Sequence, residues 1–411
     1  MNKEKALEIL NNIKYYNMTD LRYSKLVDLL LSKDEYEEFL IIKDQLIEEG
    51  HEQFNKLPLK TFNSKHCFYF EGKYLVSALR EYLNTWLEDS KENKEVFSIR
   101  NMKDILISRV FSEIEGTLDV ENVPTTHKLI KEVFEKEEVV EQNEIIIKNM
   151  QNAMSYILEE VPDFNKENLF KLYSLLSNNC LKESDRLKEG EYYRHDMVSV
   201  GGYDGVKSEL IDEYMNSLFD FVNNKENIQK YGILIPHICH YYILYVHPYF
   251  DYNGRTARMV SFWINVLSGY MYIAPLFLSE AINERKKEYY DALVNTRNAN
   301  NDLTYFLGYL LESAVRFSLI YKNLEKIKEK VLESGEILSS TELIYIKKIL
   351  IHNPNNPFNC KMFIEYVGNM SKQGAMKILN NLASYGIITS MINRKKERIF
   401  KLNQDFIFYK Y

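Results

Sequence analysis

"HPYFDYNGRTAR", residues 247–258, places one imidazole, one proline, one carboxylate, an Asn-Gly pair and two arginines between two apolar runs. The run before it, "IPHICHYYILYV", has no Asp, Glu, Lys or Arg, and "RTARMVSFWINVL" after it is apolar apart from its arginines, so both predict buried helices. The residues between, "HPYFDYNG", are then a loop feeding a helix N-terminus. Asn253 and Gly254 tolerate left-handed backbone angles and can turn their N–H groups toward one point. A helix start with free N–H groups and the positive end of the dipole is an anion site. Arg255 and Arg258, three residues apart, share a helical face beside it. Cations there oppose the dipole at about 0.3–1 kcal/mol each, so their presence implies an anion. Asp251 offers the hard oxygen that Mg²⁺ takes when it bridges to phosphate. His247 offers a base that titrates near neutrality.

The bulk composition frames that turn. At 411 residues the chain is long for one hydrophobic core, so two or three domains are expected. With 45% hydrophobic and 27% charged residues and a net charge of -7, nothing chain-wide points to nucleic acid or an anionic membrane. Cys67, Cys180, Cys239 and Cys360 lie far apart, which argues against a zinc ribbon or a disulfide framework. The start, "MNKEKALEIL", reads as an amphipathic helix with charges where a signal peptide needs an apolar core, and the expected location is cytoplasmic. Met259 to Ser279 holds no charged residue over a bilayer-length stretch. Asn265, Ser268, Gly269 and Pro275 interrupt it, so the expectation is a buried helix, a break and a second apolar segment, with no membrane partner. His237, His240 and His247 could share a helix face, but no Cys, Glu or Asp completes a four-ligand site there, and structural histidines are the reading.

Apolar residues recur at three- and four-residue spacing through most of the chain, so the fold class is mainly α. Strand signals are local: "HCFYFEGKYLV" at 66–76, "DMVSVGGYDGV" at 196–206 with Gly201 and Gly202 at a hairpin tip, and "YGIITSMINRKKERIFKL" at 385–402. A charged helical connector, 324–340, ends at Gly335. The boundaries drawn are a mostly helical region 1–95, a core 96–330 and a C-terminal domain 335–411. In the last of these, Ser339 with Glu342 is a capping box. A helix, a Gly-Asn turn, Ser371 as N-cap, a second helix and two strands around "NRKKER" follow, the order of a winged helix-turn-helix. Residues 337–411 carry 9 Lys and 2 Arg against 3 Glu and 1 Asp, a net of +7. The readings open for it are duplex DNA binding through "SKQGAMKILNNL", or dimerisation and protein contacts.

The turn at 247–258 resembles the core motif HPFx(D/E)GNGRxxR of the Fic family of nucleotidyltransferases, on His247, Pro248, Tyr249, Phe250, Asp251, Tyr252, Asn253, Gly254, Arg255 and Arg258. Tyr252 departs from the family's glycine and puts a phenol where the backbone passes the nucleotide phosphates. "GEYYRHDMVSVGG", 190–202, is similar to the family's flap hairpin and its preceding arginine. The resemblance covers roughly 96–330 and implies a Fic-type helical core with a β-hairpin flap.

Upstream, "DILISRVFSEIEGTLDVENVPTTH" predicts a helix over about 102–116 with Glu115 in its last turn and Gly116 as cap, although an acid there is disfavoured by the dipole. In the Fic family a helix ending (S/T)xxxE(G/N) sets its glutamate against the second motif arginine and blocks the γ-phosphate. The resemblance assigns that inhibitory role to Glu115, with Phe111 at the hydroxyl position and Ser112 one residue late.

The resemblance implies a protein adenylyltransferase using ATP and Mg²⁺ to move AMP onto a Ser, Thr or Tyr hydroxyl of a protein, itself included. His247 would be the base and Asp251 the metal ligand. Asn253 and Gly254 would cradle phosphates, Arg255 and Arg258 would neutralise them, the flap at 197–206 would align the target, and Tyr290 would pack on adenine. Two alternatives stay open at Tyr252: a different donor nucleotide, or removal of AMP. A third is a DNA-binding regulator that senses nucleotide without turning it over, and a homodimer is compatible with each.

Overall fold

In a computed structural model the described residues are 1–16, 32–62, 65–92, 111, 113–268, 278–368 and 370–408. Most of the predicted inhibitory helix (102–110 and Ser112), the apolar stretch 269–277, the 95/96 boundary and Asn369 lie outside them. The architecture is mainly helical, with three small antiparallel sheets among the described residues. By their contacts the residues form two units, Met1–Ala314 and Val315–Tyr411. This division differs from the sequence boundary at 330/335, because a single helix, Thr304–Glu333, runs through the first part of the supposed connector.

At the centre of the first unit the helices Ile235–Val246 and Asn253–Leu267 pack against each other. Apolar residues occupy nearly every face of both, so both are enclosed, with Trp263 fully buried and its Nε1–H donating to the Pro162 carbonyl at 2.9 Å. Helices Gln142–Ser155, Lys166–Ser177 and Ile211–Asn223 belong to the same unit.

Residues 1–92 join this unit. The hairpin Phe54–Lys60 with His66–Phe70 pairs Phe54 with Phe70 and Lys60 with His66. The strand predicted through residue 76 stops at Phe70, and Lys73 opens a helix that runs to Glu92. Tyrosine hydroxyls pin the hairpin's end: Tyr242 donates to the Lys60 carbonyl at 2.9 Å, Tyr214 to that of Thr61 at 3.0 Å, and Tyr245 accepts from the Phe62 N–H at 2.7 Å. Lys43 and Asp302 form a buried ion pair at 2.7 Å, with Tyr16 also donating to Asp302. Breaking such a pair from one side typically costs about 3–5 kcal/mol.

In the second unit, helix Ser340–His352 starts with the Ser339/Glu342 capping box expected from the sequence. Strand Phe358–Asn359, helices Cys360–Val367 and Lys372–Ser384, and strands Ile388–Ile392 and Arg398–Leu402 follow. The last strand lies between the other two, and Ser371 caps the second helix by accepting from the Gly374 N–H. Phe363, Ala375, Leu379, Leu382, Phe400 and Leu402 are in its core.

Candidate active site

Two left-handed residues shape the turn. His247, at φ 54° and ψ 61°, ends the first helix, its N–H donating to the Ile243 carbonyl at 2.8 Å. Tyr252, at φ 66°, precedes the second, whose first bond runs from the Thr256 N–H to the Tyr252 carbonyl at 2.9 Å. The N–H groups of Asn253, Gly254 and Arg255 stand before that bond with no partner inside the helix. The Asn253 side chain is used within the loop, accepting from the Tyr249 N–H at 3.0 Å and donating to the Tyr249 carbonyl at 2.8 Å. Only its main chain is left to face an anion. Asp251 is exposed, with Oδ1 accepting from the Tyr252 N–H at 2.6 Å.

A carboxylate already lies at this N-terminus, and it is Glu121, not Glu115. Arg258 Nη2 donates to Glu121 Oε1 at 2.5 Å, and Arg258 Nε donates to Thr117 Oγ1 at 2.6 Å. A Cβ on Gly254 would fall 2.5 Å from Glu121 Oε1, so only glycine admits the carboxylate there. Residues 113–120 are helical. The Asn122 N–H bonds to the Asp119 carbonyl at 3.0 Å and the Val123 N–H to that of Leu118 at 2.9 Å, with Asn122 at φ 58°. That is a Schellman ending with Glu121 as its C-cap. The sequence reading ended this helix nearly two turns early. Gly116 lies in its interior, where a Cβ would meet the Ser279 and Glu280 backbone at 2.5–2.8 Å, so it is a packing glycine and not a cap. The pattern (S/T)xxxE(G/N) is met in full by Thr117, Glu121 and Asn122. Glu113, another acid missed by the sequence reading, is buried, accepts from the Ser279 N–H at 3.0 Å and from its hydroxyl, and is raised to about 7 by burial.

Tyr252 does not project into the anion position. It is 4% exposed, and the Arg255 guanidinium stacks on its ring, 3.4 Å from the centroid. The left-handed φ explains why glycine suits this position, and a bulky residue there costs about 1–3 kcal/mol. Arg255 Nε and Nη1 are buried with no hydrogen-bond partner among the described residues, an arrangement that favours an anion. Tyr290 is 47% exposed, with Glu121 and Arg258 among the charges that act on its hydroxyl.

Arg194, 1% exposed, ties the turn at His247 to the hairpin. It donates to the carbonyls of His247 at 2.8 Å, Asp196 at 2.6 Å and Val206, while its own N–H donates to the Pro248 carbonyl at 2.9 Å. The hairpin pairs Ser199 with Asp204 and Val200 with Tyr203 around Gly201 and Gly202, as the sequence predicted. Its far strand is held by Arg297, which donates to the Asp204 carbonyl at 2.6 Å, and by the Tyr203 hydroxyl on Asn298 at 2.7 Å.

Electrostatics follow from burial and these pairs. Burial lowers His247 to about 4, with Arg194 and Arg297 also opposing a positive ring and the Leu244 carbonyl favouring it. His247 is thus neutral near pH 7, and Nδ1, 3.4 Å from that carbonyl, is the nitrogen suited to carry hydrogen, leaving Nε2 with a free lone pair. Burial would raise Glu121, but Arg258, then Arg255 and Lys286, hold its carboxyl below the ordinary range. His240 bonds the Tyr289 hydroxyl at 2.9 Å, and burial holds His237 at about 4.

A helical core that turns from one buried helix into the next through a two-arginine loop defines one class of domain, and residues 163–264 match the family model of the Fic/DOC family. The chain carries a Fic domain. It is 22% identical over 273 residues to "Protein adenylyltransferase Fic" of Aedes aegypti, covering 63% of this chain and 52% of that one. It is 26% identical over 203 residues to "Protein adenylyltransferase fic-1" of Caenorhabditis elegans, covering 48% and 37%. The chain therefore spans about half or less of the length of these curated relatives. Among solved structures, a Fic family protein from Desulfovibrio desulfuricans G20 is similar at 16% identity and a TM-score of 0.49, covering 82% of this chain and 97% of that one. Residues 134–508 of C. elegans Fic-1 are similar at 18% and 0.48, covering 61% and 74%. No helix of the described residues is long and apolar enough to cross a membrane.

Proposed function

We propose that the chain is a protein adenylyltransferase that moves AMP from ATP to a Ser, Thr or Tyr hydroxyl of a protein, its own chain included, and that Glu121 holds it in check. The observation that carries this reading is the Arg258–Glu121 pair above Gly254, at the start of a helix whose neighbouring Arg255 has two unpaired donors. A carboxylate in that position stands where a phosphate would bind.

In the reaction the target hydroxyl oxygen attacks the α-phosphorus, His247 Nε2 takes its proton, the bond to the bridging oxygen breaks, and pyrophosphate leaves. Free N–H groups at Asn253 and Gly254 would hold phosphate oxygens, and Arg255 and Arg258 would offset the charge that develops on the leaving group. Tyr290 would pack on the adenine, and the hairpin would take the target as an added strand. The exposed Asp251 carboxylate suits Mg²⁺, which is commonly held by one carboxylate plus phosphate oxygens. When bound, the ion would neutralise phosphate charge.

Intact-mass measurement after incubation with Mg-ATP tests the reading. An adduct of one AMP on the chain or on an added protein, absent with His247→Ala, is the expected result. Adducts from CTP, GTP or UTP in preference to ATP, or removal of AMP from a modified protein without transfer, would overturn it.

A further inference from the structure

The second unit has a surface that the transfer reaction does not use. Helix Lys372–Ser384 buries Ala375, Leu379 and Leu382. On the opposite side Gln373, Lys377, Asn380, Asn381 and Ser384 are all exposed, and Lys372 is exposed at the helix start. Gln373, Lys377, Asn380 or Asn381, and Ser384 follow one another at helical spacing, forming a stripe of hydrogen-bonding side chains. From Tyr366 to Lys396 there is no acidic residue, and of the bracketing acids Glu365 faces Lys361 at 3.9 Å while Glu397 accepts from Asn393 Nδ2 at 3.0 Å.

The hairpin after this helix presents its charges on a fixed tip. Asn393 Oδ1 accepts from the N–H groups of Lys395 and Glu397, each at 2.9 Å, and the Lys396 N–H donates to the Asn393 carbonyl at 3.0 Å. Arg394, Lys395, Lys396 and Arg398 are exposed on it. A capped helix with a polar stripe, preceded by a shorter helix and followed by a basic hairpin, is the equipment of a helix-turn-helix reader. The helix enters the major groove, amide side chains pair with adenine edges, lysines pair with guanine, and the hairpin meets phosphates.

We infer that the unit Val315–Tyr411 binds duplex DNA, with Gln373, Lys377, Asn380 and Asn381 reading bases and with Lys372, Arg394, Lys395 and Lys396 on the backbone. A surface for a second copy fits less well, since the stripe offers polar amides and cations where a stable dimer would bury apolar area.

The test uses the full chain and a fluorescein-labelled duplex of random sequence, followed by anisotropy, with enrichment of a preferred sequence from the random pool. With four cations on phosphates, affinity should fall by on the order of 100-fold between about 50 and 200 mM salt. Changing Arg394, Lys395 and Lys396 together to Ala should make the log–log salt slope shallower by about 3. Changing Gln373 and Asn380 to Ala should leave non-specific binding in place and cut preference for the enriched sequence by about 10-fold or more. All five side chains are exposed, so the variants should keep the wild-type thermal midpoint. No retention at low salt, or a hairpin variant with an unchanged slope, would overturn the inference. Self-association lost in the hairpin variant, with no duplex bound by either protein, would assign the surface to a second copy and overturn it too.

Discussion

Arg258 and Glu121 lie 2.5 Å apart at the start of helix Asn253–Leu267, the arginine almost fully buried and the glutamate partly so. The pair satisfies two problems at once: a cation beside a helix N-terminus and an acid at a helix C-terminus, each disfavoured alone by its own dipole. In the proposed reaction ATP would have to displace that carboxylate to reach Arg258.

Glu121→Gly should therefore raise self-modification. A hydrogen bond to a charged group contributes about 1.5–3 kcal/mol, so the freed arginine corresponds to a gain on the order of 10- to 100-fold. Glu115→Gly should behave as wild type. Radiolabel from ATP on the two variants side by side checks both, and a larger rise for Glu115→Gly would restore the earlier helix ending.

The same substitution leaves Arg258 buried without its partner, which should lower the thermal midpoint of the ligand-free chain. Mg-ATP should recover it, and the ATP-dependent rise in midpoint should exceed that of the wild type. Equal rises in both proteins would mean that Arg258 is not where the nucleotide's charge is met.

His247→Ala should reduce transfer by about 10²- to 10⁴-fold while nucleotide binding persists, because the base acts on the chemical step. Burial lowers this histidine to about 4. The sign follows: the ring stays neutral as pH falls from 7 and becomes protonated only near 4, so transfer should persist well below the usual histidine range. The unfolded chain binds that proton at higher pH than the folded one, so this group's contribution to stability is present above its unfolded value and is lost as pH falls toward 4. An acid limb of kcat/KM centred near 6.5 would place the titrating base elsewhere.

Tyr252→Gly should relieve a left-handed tyrosine and remove the surface on which Arg255 is stacked. Cation–π contacts contribute about 0.5–2 kcal/mol, so stability should change little while ATP affinity weakens by several-fold. Tyr252→Phe should retain wild-type affinity. Titration calorimetry on the pair separates ring from backbone, and tighter ATP binding in Tyr252→Gly would show the phenol to be an obstruction.

Gly116→Ala tests the close approach of the Ser279–Glu280 backbone to the helix that carries Glu121. An unobstructed helical alanine stabilises by roughly 0.5–1 kcal/mol over glycine. Here the new Cβ would meet the Glu280 main chain at 2.5 Å, so the midpoint should fall by an amount corresponding to about 1–3 kcal/mol.

The turn at 247–258 was legible because its chemistry is local. A loop between two apolar helices and arginines three apart are consequences of residue type and spacing, but the left-handed angles expected at Asn253 and Gly254 fall on His247 and Tyr252, and Asn253 already opens the helix. The hairpin tip at Gly201 and Gly202 and the caps at Ser339 and Ser371 are legible for the same reason. The identity of the carboxylate that pairs with Arg258 was not local. Glu115 and Glu121 both precede a residue able to cap a helix, and in the fold Gly116 lies inside a helix that continues to residue 120, packed against the backbone of Ser279 and Glu280, far along the chain. The direction of the Tyr252 ring was equally out of reach, because a left-handed backbone and a guanidinium to lie under are properties of the folded turn. Sequence alone determined which groups meet at the turn. Packing between segments distant in the chain decided which acid answers them, because helix length and side-chain direction are settled by neighbours that spacing along the chain does not reveal.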